Sequence, residues 1–350
     1  MLDSRKSVIL RAIVREYVRA GVPVGSKALT ENMGLAVSAA TVRNDMALLE
    51  DLGYIQRPHS SAGGVPTDLG YRWFIDNWPG PSWPELPPGQ TQAITRAFER
   101  GFNALEEALA ATSQVLSEVT EAVAVVAAPP MRENRLRRLE LLPRSDGRVG
   151  LLLIADTGVV EQGILDVAEL PAEPELSELA MRLNGELSGE VLEAIPERLL
   201  ATPDPQGWRS PIAAAVARIV GGGSWERVFR GGTANILSRE KFSDPDIAHG
   251  IVGALERPMV VAALLGEVRG AQDGNDGEPR GPFVVLIGHE NPIAQMRACA
   301  TVLASYGVGT AARHGTLAVI GPTRMDYPHT ISAVNLVVRS LSGLLDELAS

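Results

Sequence analysis

The sequence contains a single cysteine, Cys299, among 350 residues. One thiol cannot form an intrachain disulfide, and scarce cysteine fits a reducing compartment. Cys299 lies in the apolar stretch 298–303, which favours a small buried side chain over a reactive nucleophile. The sequence therefore does not indicate a disulfide-stabilised or thiol-dependent protein.

Motifs typical of enzymes and metal sites are also missing. The five histidines include no His-x-x-x-His pair and there is no pair of cysteines, so we expect no metal site. The nucleotide-binding patterns Gly-x-Gly-x-x-Gly and Gly-x-x-x-x-Gly-Lys and the hydrolase pattern Gly-x-Ser-x-Gly are absent. We predict that the protein is not an enzyme and binds no cofactor.

Long hydrophobic runs are absent too. No apolar run approaches the roughly 18 residues needed to span a bilayer, and the charged N-terminus lacks the apolar core of a signal peptide. We therefore expect a cytoplasmic protein that contacts no membrane. With 45% hydrophobic and 21% charged residues, a chain of this length should form two or three domains.

The most informative stretch present is a short predicted helix between Ser38, a good N-cap, and Gly53, a stop signal. At 100° per residue its apolar side consists of Ala39, Val42, Met46 and Leu49. The opposite side carries Ala40 and Asn44, flanked by Thr41 and Arg43. Small, hydroxyl, amide and guanidinium groups suit a helix in the DNA major groove, where Asn can pair with adenine and Arg with guanine or phosphate.

The elements around this helix complete a module. Before it, helices are predicted at 4–20 and 26–33, with a turn at 22–25 between them. After it, short strands are predicted at 54–57 and 65–67 around a small-residue loop, and a further helix at 67–78 leaves this hairpin. Three helices followed by a two-stranded hairpin predict a winged helix-turn-helix. The alternative for the same pattern is a protein-interaction domain.

Charge is divided unevenly along the chain. Residues 1–78 carry nine basic and eight acidic side chains, a net charge of +1, whereas the remainder carries 23 basic and 34 acidic ones, a net charge of −11. This contrast favours DNA contact by the first segment, although each copy can neutralise few phosphates. Two copies on a palindromic site would compensate, so we expect a homodimer.

The rest of the chain predicts an α+β region. Strands are expected at 122–128, 136–142, 149–154, 159–165, 283–287, 300–303 and 317–320, and helices at 91–118, 176–187, 191–200, 212–220 and 330–348. The predicted division is a DNA-binding domain at 1–78, a Pro-rich linker at 79–90, an effector and dimerisation domain at 91–172 and 223–350, and an inserted helix-rich subdomain at 173–222.

Several stretches match one known family in order along the chain. They include PVGSK at 23–27, AATVRNDM at 39–46, LEDLG at 49–53, PHSSAG at 58–63, VPTD at 65–68 and GYR at 70–72, then IGHEN at 287–291 and IGPTRMDYP at 320–328. On these motifs the chain resembles the HrcA family of heat-inducible transcription repressors. Because matches lie near both ends, the resemblance covers essentially the whole chain.

The resemblance implies a dimeric repressor of chaperone operons that binds double-stranded DNA at an inverted repeat called CIRCE. It implies a winged-helix domain, a GAF-like domain and an inserted dehydrogenase-like domain. It also implies a chaperonin that keeps the repressor able to bind until heat diverts that chaperonin, and association with the nucleoid while bound. The DNA-contacting residues expected are Ser26, Lys27, Ser38, Ala40, Thr41, Arg43, Asn44, Arg57, His59, Ser60 and Ser61. The alternatives are a repressor whose GAF-like domain senses a small molecule, and an enzyme with an accessory winged helix.

One position departs from the family pattern. Where the family usually has Ala-Gly-Arg-Val-Pro-Thr, residues 62–67 read Ala-Gly-Gly-Val-Pro-Thr. Gly64 cannot make the phosphate or minor-groove contact of an arginine. We expect weaker operator binding than in a Gly64→Arg variant, by about 1–3 kcal/mol per half-site if the guanidinium reaches a base.

Two polar turns in the second half have roles that the sequence alone does not decide. At 320–328, Arg324 and Asp326 are predicted to form an ion pair that fixes the turn, with Tyr327 beside them. The alternative is a ligand pocket, or a contact to the chaperonin or the partner subunit. The run His-Glu-Asn at 289–291 follows a strand and is predicted to supply turn and capping residues.

Overall fold

The computed structural model describes residues 2–32, 38–59, 62–80, 82–99, 102, 105–156, 158–165, 167, 170–205, 207–221, 227–236, 242, 245–272, 283–307 and 314–349. The α-helices in these ranges are α1 Ser4–Ala20, α2 Ser26–Asn32, α3 Ala39–Asp51, α4 Asp68–Asp76, α5 Pro88–Glu99, α6 Leu105–Thr120, α7 Glu173–Leu187, α8 Ile195–Ala201, α9 Arg209–Gly221, α10 Pro245–Leu255, α11 Pro258–Gln272 and α12 Tyr327–Ala349. The strands are β1 Ile55–Gln56, β2 Val65–Pro66, β3 Val123–Ala127, β4 Leu136–Pro143, β5 Val149–Ala155, β6 Val160–Leu165, β7 Val228–Gly231, β8 Phe283–Ile287, β9 Cys299–Gly307 and β10 His314–Pro322. The predicted mixed α+β class is confirmed.

Helices α1 to α4 and strands β1 and β2 pack together as one unit, called the head below. Asp3 caps α1 by accepting a hydrogen bond from the Lys6 amide at 2.9 Å, and Gly21 ends the helix in the left-handed region at a φ of 71°. The first helix packs against α3 and α4, and the two strands pair in antiparallel orientation. The helices and strands predicted for this segment are present, with ends shifted by a few residues.

The predicted single helix at 91–118 is wrong, because two helices, α5 and α6, occupy this stretch. The first begins at Pro88, inside the predicted linker 79–90. Proline suits the first turn of a helix, where its fixed φ is helical and its missing N–H leaves no hydrogen bond unmade. In the sequence, Gly101 and Asn103 stand between the two helices, and both residue types have low helix propensity.

A five-stranded antiparallel sheet forms the centre of the second half, in the order β7-β3-β10-β9-β8. Ala124 and Val126 of β3 belong to a core shared with α6 and α12, whereas Val123 and Val125 belong to a second core beneath α10 and α11. Because both faces of this strand are buried, its sequence is an uninterrupted apolar run without polar alternation. Strands β9 and β10 extend beyond the predicted 300–303 and 317–320, and β7, α10 and α11 had no counterpart among the predictions.

A separate three-stranded antiparallel sheet, in the order β4-β5-β6, packs against α7 and α9. Asn184 of α7 binds the free edge of β4, accepting from the Leu139 amide and donating to the Leu139 carbonyl, each at 2.7 Å. The predicted division grouped these strands with 91–172, apart from the helices of 173–222. Hairpin signals identify which strands pair, but not the helices against which the finished sheet packs.

Among the described residues, no single helix is long and apolar enough to cross a membrane. The helices at 245–255 and 258–266 are long and apolar enough only when taken together, and the chain bends by 86° between them.

Candidate nucleic-acid interface

The outer side of α3 carries the residues predicted to read DNA. Ser38 caps the helix, since its Oγ accepts a hydrogen bond from the Thr41 amide at 3.1 Å. Ala40, Arg43 and Asn44 are exposed and Thr41 is half-buried. The inner side is buried through Val42, Met46 and Leu49, with Ala39 half-buried. The predicted division of this helix into an inner and an outer side is therefore confirmed, which leaves the outer groups free to meet a ligand.

A buried acidic residue on α3 was missed by the sequence reasoning. Asp45 is only 2% exposed and forms a two-point ion pair with Arg5 of α1, with Nε to Oδ2 at 2.7 Å and Nη2 to Oδ1 at 3.0 Å. The hydrogen bond to this carboxylate raises the pKa of Arg5. Such two-point contacts have defined geometry, so the pair fixes the angle of α3 against α1. Its partners lie 40 positions apart, and no local pattern connects them.

Several predicted contact residues line one cleft of about 320 Å³ on the head. Its lining comprises Gly25, Ser26, Arg43, Met46, Arg57, Ala62 and Gly63. Three of the predicted DNA-contacting side chains, from α2, α3 and the end of β1, therefore share one concave surface. His59 is exposed on the hairpin loop, whereas Ser60 and Ser61 lie outside the described residues.

The hairpin loop is held against the turn before α2. Val24 and Gly64 exchange two backbone hydrogen bonds, each of 2.9 Å. A Cβ on Gly63 would lie 2.3 Å from the Val24 carbonyl carbon, so only glycine fits there. A Cβ on Gly64 would point inward, 2.9 Å from Ile55 Cδ1 and 3.1 Å from Met46 Cε. A side chain at position 64 thus starts toward the core of the head and not toward solvent.

Most cations of this surface have a carboxylate partner within the chain. Arg57 Nε lies 3.3 Å from Glu50 Oε2, and Lys27 Nζ lies 3.7 Å from Glu31 Oε1. Arg43 has no ion-pair partner among the residues that the structure describes. It is therefore the cation of this surface that is most available to a phosphate or a base.

The turn at 320–328 joins β10 to α12. Asp326 accepts a hydrogen bond from the His329 amide at 3.1 Å, and the Tyr327 hydroxyl donates to the Thr323 carbonyl at 2.6 Å. Burial raises the pKa of Tyr327, which keeps this donor protonated. Arg324, Asp326 and Tyr327 also line a cleft of about 790 Å³ that reaches α1 and α4. The Arg324–Asp326 ion pair stays a prediction.

The turn at 288–291 follows β8 and contains the capping contacts that the sequence predicts. The Glu290 carboxylate accepts from the Ile287 amide at 2.9 Å, and the Asn291 side-chain amide donates to the Gly288 and Cys299 carbonyls, both at 3.0 Å.

Comparison with known proteins identifies the family. The protein-family model described as HrcA protein C terminal domain matches residues 106–331. A heat-inducible transcription repressor HrcA of Streptomyces avermitilis is 39% identical, over 99% of this chain and 100% of the relative. The chain belongs to the HrcA family. A second HrcA family member, from Beutenbergia cavernae and also named a heat-inducible transcription repressor, is 38% identical over 99% of each chain. Such repressors are not enzymes.

One solved structure shares the fold. It is described as a hypothetical protein at 2.2 Å resolution and superimposes with a TM-score of 0.62, at 21% identity, covering 99% of this chain and 100% of that one. The similarity extends over the head and the second half together.

Proposed function

We propose that this chain is a heat-inducible transcription repressor that binds operator DNA through the head. The observation that carries the proposal is similarity over nearly the full length to relatives of that name. The exposed side of α3 supports it, because Arg43 and Asn44 offer a guanidinium and an amide that can bond base edges.

In this proposal the head is a winged helix-turn-helix. The recognition helix α3 enters the major groove, and its first turns approach the bases. The hairpin β1–β2 is the wing and lies along the DNA backbone. Bases are read by Ala40, Thr41, Arg43 and Asn44, and phosphates are contacted by Ser26, Lys27, Ser38, Arg57, His59, Ser60 and Ser61.

Binding involves two copies on an inverted repeat. The head has a net charge of +1, so one copy neutralises too few phosphates for tight binding at physiological salt. A homodimer places two recognition helices about one helical turn apart, which doubles the contacts and selects a palindromic site. CIRCE, the inverted repeat implied by the family resemblance, is the operator we assign.

The remaining elements form the regulatory part of the protein. We assign the five-stranded sheet with α5, α6 and α10 to α12 to a GAF-like effector and dimerisation domain. The inserted dehydrogenase-like subdomain begins at β4, earlier than residue 173, since β4 to β6 and α7 to α9 pack on one another. Marginal stability lets a chaperonin and temperature set the active fraction, because 1–2 kcal/mol changes the folded population several-fold. The protein acts in the cytoplasm and is associated with the nucleoid while bound.

A gel-shift titration on an inverted-repeat promoter fragment tests the proposal, with and without chaperonin. We expect sequence-specific retention that chaperonin increases. Retention no stronger than that of a scrambled duplex would contradict DNA reading, and retention unchanged by chaperonin would contradict the regulatory part.

Small-molecule sensing is a second candidate for the regulation, supported by the 790 Å³ cleft between the head and the turn at 320–328. Ligand sites often occupy clefts of this size between domains. A metabolite that raises the operator-bound fraction where chaperonin does not would favour this candidate.

A further inference from the structure

Two motifs from the second half of the chain contact the head. His289 makes two hydrogen bonds to Asp68 Oδ2 at the start of α4. The His289 amide donates to this oxygen at 3.0 Å, and the His289 Nδ1 lies 2.9 Å from it. One turn further along α4, Arg72 Nε donates to Glu290 Oε1 at 2.9 Å, and Arg72 Nη2 contacts the other oxygen of the same carboxylate. Adjacent residues of one turn thus bind two adjacent turns of one helix.

The backbone of this turn is shaped to admit the α4 carboxylate. Gly288 has a φ of +52°, and a Cβ at that position would lie 2.0 Å from Asp68 Oδ2. Only glycine combines this conformation with so close an approach. The glycine of the Ile-Gly-His-Glu-Asn motif therefore serves contact with the head.

The same contacts occupy the open edge of the five-stranded sheet. Among the strands that the structure describes, β8 is an edge strand and pairs only with β9. Arg72 Nη2 donates to the Val285 carbonyl at 2.5 Å, while Glu290 accepts from the Ile287 amide at 2.9 Å. Edge groups normally remain free to pair with another chain. Here the Val285 carbonyl accepts from Arg72 of α4, and the Ile287 amide positions the Glu290 carboxylate that binds the same arginine.

The second motif supports the head from another side. The rings of Tyr71 on α4 and Tyr327 on α12 lie 5.5 Å apart, and both are buried. The Arg324 guanidinium lies against the Cα of Gly21 at the end of α1. Helix α1 packs against α4 and also holds α3 through the Arg5–Asp45 pair. Both motifs are therefore connected to α3 through packed elements of the head.

We propose that Asp68, Arg72, His289 and Glu290 form a latch, called the α4 latch, that fixes the angle of α3 relative to the sheet. In a dimer this angle sets the separation of the two recognition helices, and so the half-site spacing that the repressor accepts. The four residues are positioning residues that touch no DNA. The part of this inference that concerns spacing rests on the proposed function, whereas the part that concerns the angle does not.

The polar character of the latch suits this role. Apolar contacts depend on area and tolerate small rotations, whereas charge-assisted hydrogen bonds with two contact points have preferred directions. The Arg72–Glu290 ion pair and the hydrogen bonds between His289 and Asp68 are all accessible to solvent in part. Removing them should loosen the orientation of the head while its apolar core keeps it folded.

The spacing test uses full-length protein and a series of inverted repeats whose spacers differ by single base pairs. We expect wild type to prefer one spacing at least tenfold over its neighbours, and the His289→Ala, Glu290→Gln double variant to reduce this preference at least threefold. Glu256→Gln, which removes an exposed carboxylate between α10 and α11, helices whose core is separate from the core that contains the head, should keep the wild-type profile. A folded double variant with the wild-type profile would overturn the latch. Absence of any inverted-repeat binding by wild type would instead overturn the proposed function.

A distance measurement tests the angle without DNA. Spin labels at Leu48→Cys on α3 and Met259→Cys on α11 occupy exposed positions, and the native Cys299 is buried. Pulsed electron–electron double resonance, on labelled subunits mixed with an excess of unlabelled ones so that only distances within a subunit are seen, should give one narrow distance distribution in the otherwise wild-type protein. The latch double variant should give a broader or shifted one. Equal distributions in the two proteins would contradict the proposal whatever the DNA results are.

Discussion

Arg57 must change partners if it is to contact a phosphate. Its guanidinium lies 3.3 Å from the Glu50 carboxylate, and both side chains are partly exposed. Exposed pairs of this kind contribute only about 0.2–1 kcal/mol, so a phosphate can compete for the arginine. Glu50 therefore acts as an internal competitor of DNA at the edge of the proposed interface.

The Glu50→Gln substitution should strengthen operator binding. It removes one negative charge near the DNA and releases Arg57, with an expected gain of about 0.2–1 kcal/mol per head. Anisotropy titrations at several salt concentrations measure both the affinity and its salt dependence, which should become steeper as another phosphate is neutralised. Unchanged affinity and salt slope would show that Arg57 does not reach the DNA.

Arg43 and Asn44 should contribute in different ways. Asn44→Ala should lose discrimination at the base it reads, costing about 1–3 kcal/mol if the contact is bidentate. Arg43→Ala should weaken binding to all sequences if it contacts phosphate, or at one base pair if it contacts guanine. Arg257→Ala, at an exposed arginine between α10 and α11, helices whose core is separate from the core that contains the head, is the matched control. Wild-type affinity in both α3 variants, with melting curves unchanged, would mean that the reading side is wrongly assigned.

At the scale of elements, the locally encoded parts were predictable and the others were not. Helices α1, α3 and α4 begin at the capping residues Asp3, Ser38 and Thr67, so the starts of these elements could be read from the chain. Strand β7 has four residues and gains its stability from pairing with β3 about a hundred positions earlier. A strand of that kind carries too little local pattern to be recognised.

The candidate site likewise has features that the sequence predicts and contacts that it does not. The inner and outer sides of α3 follow from its 100° periodicity, which depends on neighbouring residues alone. The pairs Arg5–Asp45 and Asp68–His289 join residues 40 and 221 positions apart. Without the fold, a buried aspartate in a helix cannot be distinguished from an exposed one by residue type, so these contacts needed the structure.

The hairpin loop gives a prediction at this scale. A Cβ at Gly64 meets the terminal methyl groups of Ile55 and Met46, so Gly64→Ala should destabilise the head by about 1–3 kcal/mol through overpacking. Gly64→Arg suffers the same crowding but gains a cation. We expect it to bind operator more tightly than Gly64→Ala by about 1–3 kcal/mol per half-site if the guanidinium reaches a base. The alanine variant separates crowding from charge, and equal affinities of the two variants would exclude the arginine contact.

At the scale of the whole molecule, the single thiol reports on opening of the sheet. Cys299 begins β9, is fully buried, and belongs to the core beneath α10 and α11. Burial raises the pKa of its thiol to about 12, so at neutral pH it is both protonated and inaccessible. Reaction with a thiol reagent therefore requires that this core opens.

Heat should expose Cys299 over the temperature range in which operator binding is lost. Thiol labelling and anisotropy can be followed on the same sample, with labelling in denaturant as the upper limit. Parallel curves are expected if partial unfolding of the effector sheet ends repression. If binding disappears while Cys299 stays protected, heat acts on the head or on the dimer without opening this core.

The most direct measurement of the central claim is site-specific photo-crosslinking from Ala40, at the exposed start of α3. A photoreactive amino acid at this position, in the full-length protein bound to an inverted-repeat operator, should crosslink to bases within the half-site. The same amino acid at Met259, which is 85% exposed on α11, should give no DNA adduct. Crosslinks from position 259 but none from position 40 would contradict the assignment of α3 as the recognition helix.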